Sequence, residues 1–100
     1  MKYGLSQQHL NEVHSILSKY PDIQETLLFG SRVRGMNKDY SDIDLAVKGI
    51  VSDKCIIALR GDFEESNLPF FVDVVNYDAI TETSLKEMID SQGVRLDSRR

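Results

Sequence analysis

The sequence predicts an α/β or α+β domain, a sheet with helices packed on it. Three observations carry that expectation. Segments with helical apolar spacing alternate with short β-branched or aromatic runs, in the order α-β-α-β-α-β-α. A composition of 41% hydrophobic and 28% charged residues matches a globular chain with a core, and 100 residues suit a single domain, read as residues 1–100. Finally, no repeat, low-complexity tract or Pro/Gly/Ser linker divides the chain.

The elements follow in order. Residues 6–19 read as a helix capped by Ser6, with Leu10, Val13, Ile16, Leu17 and Tyr20 as its apolar stripe; Pro21 and Asp22 end it. Residues 24–29 (QETLLF) read as a strand running into Gly30, followed by a turn of helix at 31–35 that Gly35 stops. Residues 43–48 (IDLAVK) form the next strand, closed by Gly49. The segment 52–66 places Cys55, Ile56, Leu59 and Phe63 at helical spacing, with Ser52 as the cap and Gly61 as a weak point. After Pro69, residues 70–76 (FFVDVVN) read as a buried strand interrupted by one charge, Asp73. Residues 81–91 suggest a last helix facing inward through Leu85, Met88 and Ile89. The closing GVRLDSRR is either a short edge strand or a frayed end.

Composition also excludes whole classes. No apolar run approaches the roughly 18–20 residues that span a bilayer. The opening MKYGLSQQHLNEVHS lacks the apolar stretch of a secretory signal, so a cytoplasmic location is expected. The single cysteine, Cys55, rules out a disulfide scaffold. Twelve basic against sixteen acidic residues, a net charge of −4, argue against strong general nucleic-acid binding.

Two features break the rules for a structural strand in the same way. Asp42 and Asp44 are two residues apart, so both project from one face of a strand, about 6.5–7 Å apart at Cα. Asp73 is a lone carboxylate among Phe70, Phe71, Val72, Val74 and Val75, and burying such a group uncompensated costs several kcal/mol. If the two strands pair, three carboxylates converge with no adjacent cation. An oxygen-only ligand set selects magnesium or manganese over zinc. Upstream, Gly30-Ser31-Arg32-Val33-Arg34-Gly35 lies where a strand gives way to a helical turn, a place suited to an anion. Gly30 permits the turn and a close approach, Ser31 supplies a hydroxyl, and an arginine can neutralise a phosphate. A phosphate cradle followed ten residues later by paired acids is equipment for metal-dependent chemistry on a nucleoside triphosphate.

Competing motifs fail on inspection. Met36 and Asn37 stand where a Walker A loop needs Lys and Ser/Thr, and Arg32 occupies the middle glycine of G-x-G-x-x-G. The run from Asp42 to Ala46 lacks the later ligands of a calcium loop. His9 and His14, five apart, lie about 140° apart around a helix and cannot share a zinc.

Together, Gly30-Ser31-Arg32-x-Arg34-Gly35, then Ser41-Asp42-Ile43-Asp44-Leu45, with Asp73 on a later strand, resemble the DNA polymerase β-like nucleotidyltransferase superfamily. In length the chain resembles its minimal nucleotidyltransferases, small proteins encoded beside a HEPN-domain partner. The likeness covers residues 24–78 by motif and the whole chain by element order. It implies a mixed sheet flanked by helices and two magnesium ions, with manganese as a substitute. Asp42 and Asp44 would ligate both ions, and Asp73 would complete the second site and help activate the attacking hydroxyl. Gly30 and Ser31 would hold the β- and γ-phosphates, and Arg34 would support that loop or touch a phosphate. The implied reaction transfers AMP from ATP to a tyrosine of a HEPN-type toxin, the chain being the antitoxin. One departure is Val33 where the family commonly has alanine, which raises the question of overpacking at about 1–3 kcal/mol.

Removing Asp42, Asp44 and Asp73 from the sixteen acids leaves thirteen against twelve bases, so the excess negative charge sits largely in the proposed site. Other residues read more plainly. Arg34 is preferred to Arg32 for the site, one of the two facing solvent. Ser41 reads as a turn residue holding the Asp42 backbone, and Lys38, Asp39 and Tyr40 as a loop that could frame a nucleotide. Cys55 reads as inert core, His9 and His14 as surface or half-buried helix residues, Tyr77 and Asp78 as a turn, and Arg99-Arg100 as a solvated tail. A chain this short holds no separate acceptor-binding domain, so a homo- or hetero-oligomer is expected. The rival readings are a non-catalytic antitoxin that covers its partner and a small-molecule nucleotidyltransferase; an RNA-adding enzyme fits the acidic balance least.

Overall fold

The structure is a computed structural model that describes residues 3–96; the Arg99-Arg100 pair lies outside the described residues. Helix α1 (Gln7–Leu17) begins at a reciprocal cap. The His9 N–H donates to Ser6 Oγ at 3.1 Å, and the Ser6 N–H donates to His9 Nδ1 at 3.1 Å. Histidine thus takes the place that Glu or Gln fills in the usual capping box. Strand β1 (Ile23–Phe29) and strand β2 (Ile43–Gly49) pair antiparallel, and helix α2 (Asp53–Glu64) then crosses over to strand β3 (Val72–Asn76). That crossover lets β3 pair parallel with β2, a connection no short hairpin could make. A 3₁₀ turn (Tyr77–Ala79) and helix α3 (Thr83–Gln92) lead to strand β4 (Val94–Arg95), which pairs antiparallel with β1. The sheet order is β3-β2-β1-β4, a mixed sheet as expected.

Period-two alternation gives the sheet two unlike faces. On one, Leu28, Ile43, Leu45, Val47, Val72 and Val74 pack against Val13, Ile16 and Leu17 of α1 and Ile56, Leu59 and Phe63 of α2. The other seals a smaller cluster, Leu27, Phe29 and Ala46 beneath Ile89 of α3, with Leu85 and Met88 half-buried around it. Among the described residues, no helix is long and apolar enough to cross a membrane.

Several expectations need correction. The strand expected over 70–76 begins at Val72, and it is not buried on both faces: Asp73 and Val75 are only half-buried, and Phe71, just ahead of it, is 59% exposed. The reason is position, since β3 is an edge strand with α2 over one side only. Its outer edge is occupied by Arg60, whose Nε and Nη2 donate to the Val74 carbonyl at 3.2 and 2.7 Å. Cys55 is half-buried rather than core, because the inward face of α2 runs through Ile56, Leu59 and Phe63, one position further along. Burial and the nearby Asp22 push its thiol above the ordinary value, which keeps it protonated and inert.

Candidate active site

Register builds the centre of the site. Asp44 of β2 lies opposite Phe29 of β1 on one side and Asp73 of β3 on the other. Neighbouring strands stand about 4.8 Å apart, so the carboxylates of Asp44 and Asp73 project side by side from the less covered face. Asp42 sits one residue ahead of β2, as the predicted bounds 43–48 placed it, and is exposed; Asp73, expected to be buried, is half-buried. Both owe their exposure to the solvent-open end of this face. Asp44 feels the crowd: burial, then Asp73, then Asp42, raise its pKa above the ordinary carboxylate value, while Arg32 and Arg34 pull it back.

Gly30 follows β1 and adopts φ +88°, a conformation that a side chain would strain. A Cβ there would also collide with Asp44 Oδ2. Glycine is therefore required twice, for the turn and for the carboxylate resting against it. The expected helical turn at 31–35 is a single hydrogen-bonded turn and not a helix. Arg34 N–H donates to the Gly30 carbonyl at 3.3 Å, and Met36 N–H to the Ser31 carbonyl at 2.9 Å. Gly35, at φ +72°, ends it before any macrodipole accumulates. A phosphate here would rely on the Gly30-Ser31 backbone and the Ser31 hydroxyl. Val33 is half-buried, packed against the main core.

The two arginines have separate fates. Arg34 is exposed, with Nη1 3.3 Å from Met88 Sδ of α3, on the same face as the acids. Arg32 is only 2% exposed. Its Nη2 and Nε donate to the Ser41 carbonyl at 2.7 and 3.2 Å, its Nη1 donates to the Tyr3 carbonyl at 2.9 Å, and its guanidinium lies 4.5 Å over the Phe70 ring. Arg32 thereby ties the cradle to the residue preceding Asp42. The sequence left Arg32 open as the second choice for the site or as a solvent-facing arginine, and burial corrects both. Ser41 is a turn residue, as expected, but its Oγ accepts from Lys38 N–H at 2.7 Å instead of holding the Asp42 backbone. Tyr77 and Asp78 do form a turn, capped by Asn76. His9, half-buried, packs edge-on to Phe70 at 4.9 Å, far from any ligand role.

The donor set was tested against a divalent cation. Among the described residues, no three His, Cys, Asp or Glu side chains are gathered into a ready-made cage. Magnesium does not need one, since it is held by one or two carboxylates with waters and substrate phosphates. Hard oxygen donors beside the Gly30-Ser31 turn, with the Asp44 carboxyl held above its ordinary value by burial and its acidic neighbours, fit a cation that arrives with phosphates.

A family model for the polymerase β nucleotidyltransferases matches residues 11–100. The chain belongs to that family. It is an α/β nucleotidyltransferase, of a family that typically uses divalent metals. It is 36% identical over 90 residues to the probable protein adenylyltransferase MntA of Haemophilus influenzae, covering 85% of this chain and 75% of that protein. Among solved structures it matches a toxin–antitoxin crystal structure with AMP-PNP, at TM-score 0.72 and 28% identity, over 87% of this chain and 71% of the other. It also matches a complex of the tri-AMPylated Shewanella oneidensis HEPN toxin with MNT antitoxin, at TM-score 0.69 and 25% identity, over 92% of this chain and 71% of the other.

Proposed function

We propose that this nucleotidyltransferase transfers AMP from ATP to a tyrosine hydroxyl of a HEPN-domain toxin and so acts as its antitoxin. The observation that carries the proposal is the row Asp44–Asp73, with Asp42 at its entrance, lying beside Gly30 on the open face of the sheet. The likeness to MntA and to the AMPylated toxin complex supports the same choice of donor and acceptor. We read residues 1–100 as one catalytic domain working in the cytoplasm, where ATP and such a partner meet.

In this reading Asp42 and Asp44 hold two magnesium ions, or manganese, and Asp73 completes the second site. When bound, the metal supplies Lewis-acid stabilisation of charge at the transferring phosphoryl group. Gly30 and Ser31 hold the β- and γ-phosphates, and Arg34, exposed beside Asp44, reaches a phosphate oxygen. The acceptor oxygen attacks the α-phosphorus, the bond to the β-phosphate's bridging oxygen breaks, and pyrophosphate leaves. Asp73 helps take the hydroxyl proton. Arg32 reaches neither metal nor substrate; it positions the loop that carries Asp42.

The test is incubation with α-labelled ATP and magnesium, with and without the co-expressed partner, beside an Asp42→Ala/Asp44→Ala control. Label on the partner that vanishes in the control is expected. Tight partner binding without label would replace enzyme with covering antitoxin, and label on a small-molecule hydroxyl alone would move the acceptor class.

A further inference from the structure

Five large apolar side chains are exposed among the described residues: Met36, Tyr40, Ile50, Ile57 and Phe71. Ile50 follows the far end of β2 and Ile57 lies on the outside of α2, both away from the acids. Phe71 stands two residues before Asp73. Its carbonyl accepts Ile43 N–H at 2.9 Å, which fixes its backbone alongside the entrance to β2 where Asp42 lies. Phe70, next to it, is turned into the core under Arg32 and against His9. Residues 70, 72 and 74 share that core side, and the Ile43–Phe71 hydrogen bond carries the ladder one residue ahead of Val72, so alternation continued through this bond would put Phe71 on the side of Asp73. Burial therefore does not account for the Phe71 ring.

An in-line transfer decides what approaches that ring. Attack on the α-phosphorus comes from the side opposite the departing pyrophosphate. In the reading above, pyrophosphate departs at Gly30-Ser31, at the end of β1. Asp44 stands one strand away and Asp73 two, about 10 Å across the sheet. The attacking oxygen therefore enters over β3, the edge strand, where Phe71 is the exposed large apolar side chain. A phenyl ring offers no hydrogen bond, and its natural partner is another ring, stacked offset or edge-to-face. A serine or threonine hydroxyl would present it almost no surface.

We propose that Phe71 is the acceptor-recognition residue, packing against the aromatic ring that bears the attacking hydroxyl and aiming that hydroxyl over Asp73. This rests on the adenylyl-transfer reading and adds the residue that selects an aromatic acceptor.

The experiment measures initial rates of AMP transfer to the HEPN-domain partner protein, varying partner and ATP in turn. The unaltered chain is compared with Phe71→Ala, Phe71→Leu and Phe71→Trp. Phe71→Ala and Phe71→Leu are expected to raise the partner's KM roughly tenfold and leave the KM for ATP within about twofold, while Phe71→Trp retains low partner KM. Leucine keeps the apolar bulk, so its failure to rescue separates ring recognition from packing. An unchanged partner KM in Phe71→Ala overturns the inference, as does a rise confined to the ATP KM, which would give the ring to the nucleotide. Transfer by the unaltered chain with either of those results sinks the inference alone. Absence of transfer by the unaltered chain sinks the adenylyl-transfer reading, and the inference with it.

Discussion

Beneath α1 and α2 the sheet presents Leu28, Ile43, Leu45, Val47, Val72 and Val74, all buried, and no charge. The opposite face of the same strands seals only Leu27, Phe29 and Ala46 under α3, and then gives way to Asp44 and Asp73. Since each strand alternates sides, one residue of offset separates the most apolar surface of the molecule from its most acidic one. The closed face holds the fold together. The open face can then carry carboxylates that a fully covered sheet would not tolerate, because half-exposed acids keep part of their hydration.

The largest expected effect would break this contrast from the open side. Asp42→Ala/Asp44→Ala should lower AMP transfer by about 10³-fold or more, as several kcal/mol of transition-state stabilisation disappear, while circular dichroism stays unchanged. The converse change is Leu45→Ala, one residue along β2 on the closed face. It should cost about 2–5 kcal/mol in denaturant unfolding, with transfer surviving in whatever fraction stays folded. If the two variants failed in the same way, the division of labour between the faces would be wrong.

The arginines sharpen the same comparison. Arg32→Met should cost about 1–3 kcal/mol, since the carbonyls of Ser41 and Tyr3 lose their buried donor; Arg34→Met should stay within about 0.5 kcal/mol yet weaken nucleotide binding by titration calorimetry. Gly30→Ala should destabilise by about 1–2 kcal/mol through its positive φ, and magnesium-ATP, expected to raise the melting temperature of the unaltered chain, should not raise that of the variant.

The smallest effect has the opposite sign. In the folded chain Asp44 binds its proton more tightly than its ordinary value of 3.8 allows, so ionising it costs stability. That cost is absent below the ordinary value, grows between the ordinary value and the raised one, and is complete above the raised one. Asp44→Asn should therefore raise the melting temperature of the metal-free protein at pH 7 and leave it unchanged at pH 3. A melting temperature that falls at pH 7 would mean that Asp44 is held by favourable contacts and not crowded by its neighbours.

Local chemistry was legible in the chain alone. The Ser6 and Ser52 caps, the helical stripes, the strand runs, and the glycine and acids at their spacing depend on groups within a few residues of one another, and a one-dimensional pattern records such distances. Half of the α1 cap was missed because His9, not Glu or Gln, closes it, a substitution that pattern rules do not anticipate. The single turn expected at 31–35 forms there, and Gly35 ends it before a second turn can follow.

Tertiary structure alone decided the remainder. That Asp44 has Asp73 for a neighbour follows from β2 and β3 pairing parallel through α2, and many crossings would satisfy the same local preferences. Arg32 turns inward because two carbonyls and a phenyl ring, from Tyr3, Ser41 and Phe70, happen to meet there. Phe71 stays in solvent because β3 lies at the sheet's edge. The sequence by itself determined which groups are present and how they are spaced along the chain. Which of them face each other is a property of long-range pairing, set by the free energy of the whole core and not by any residue's own preference.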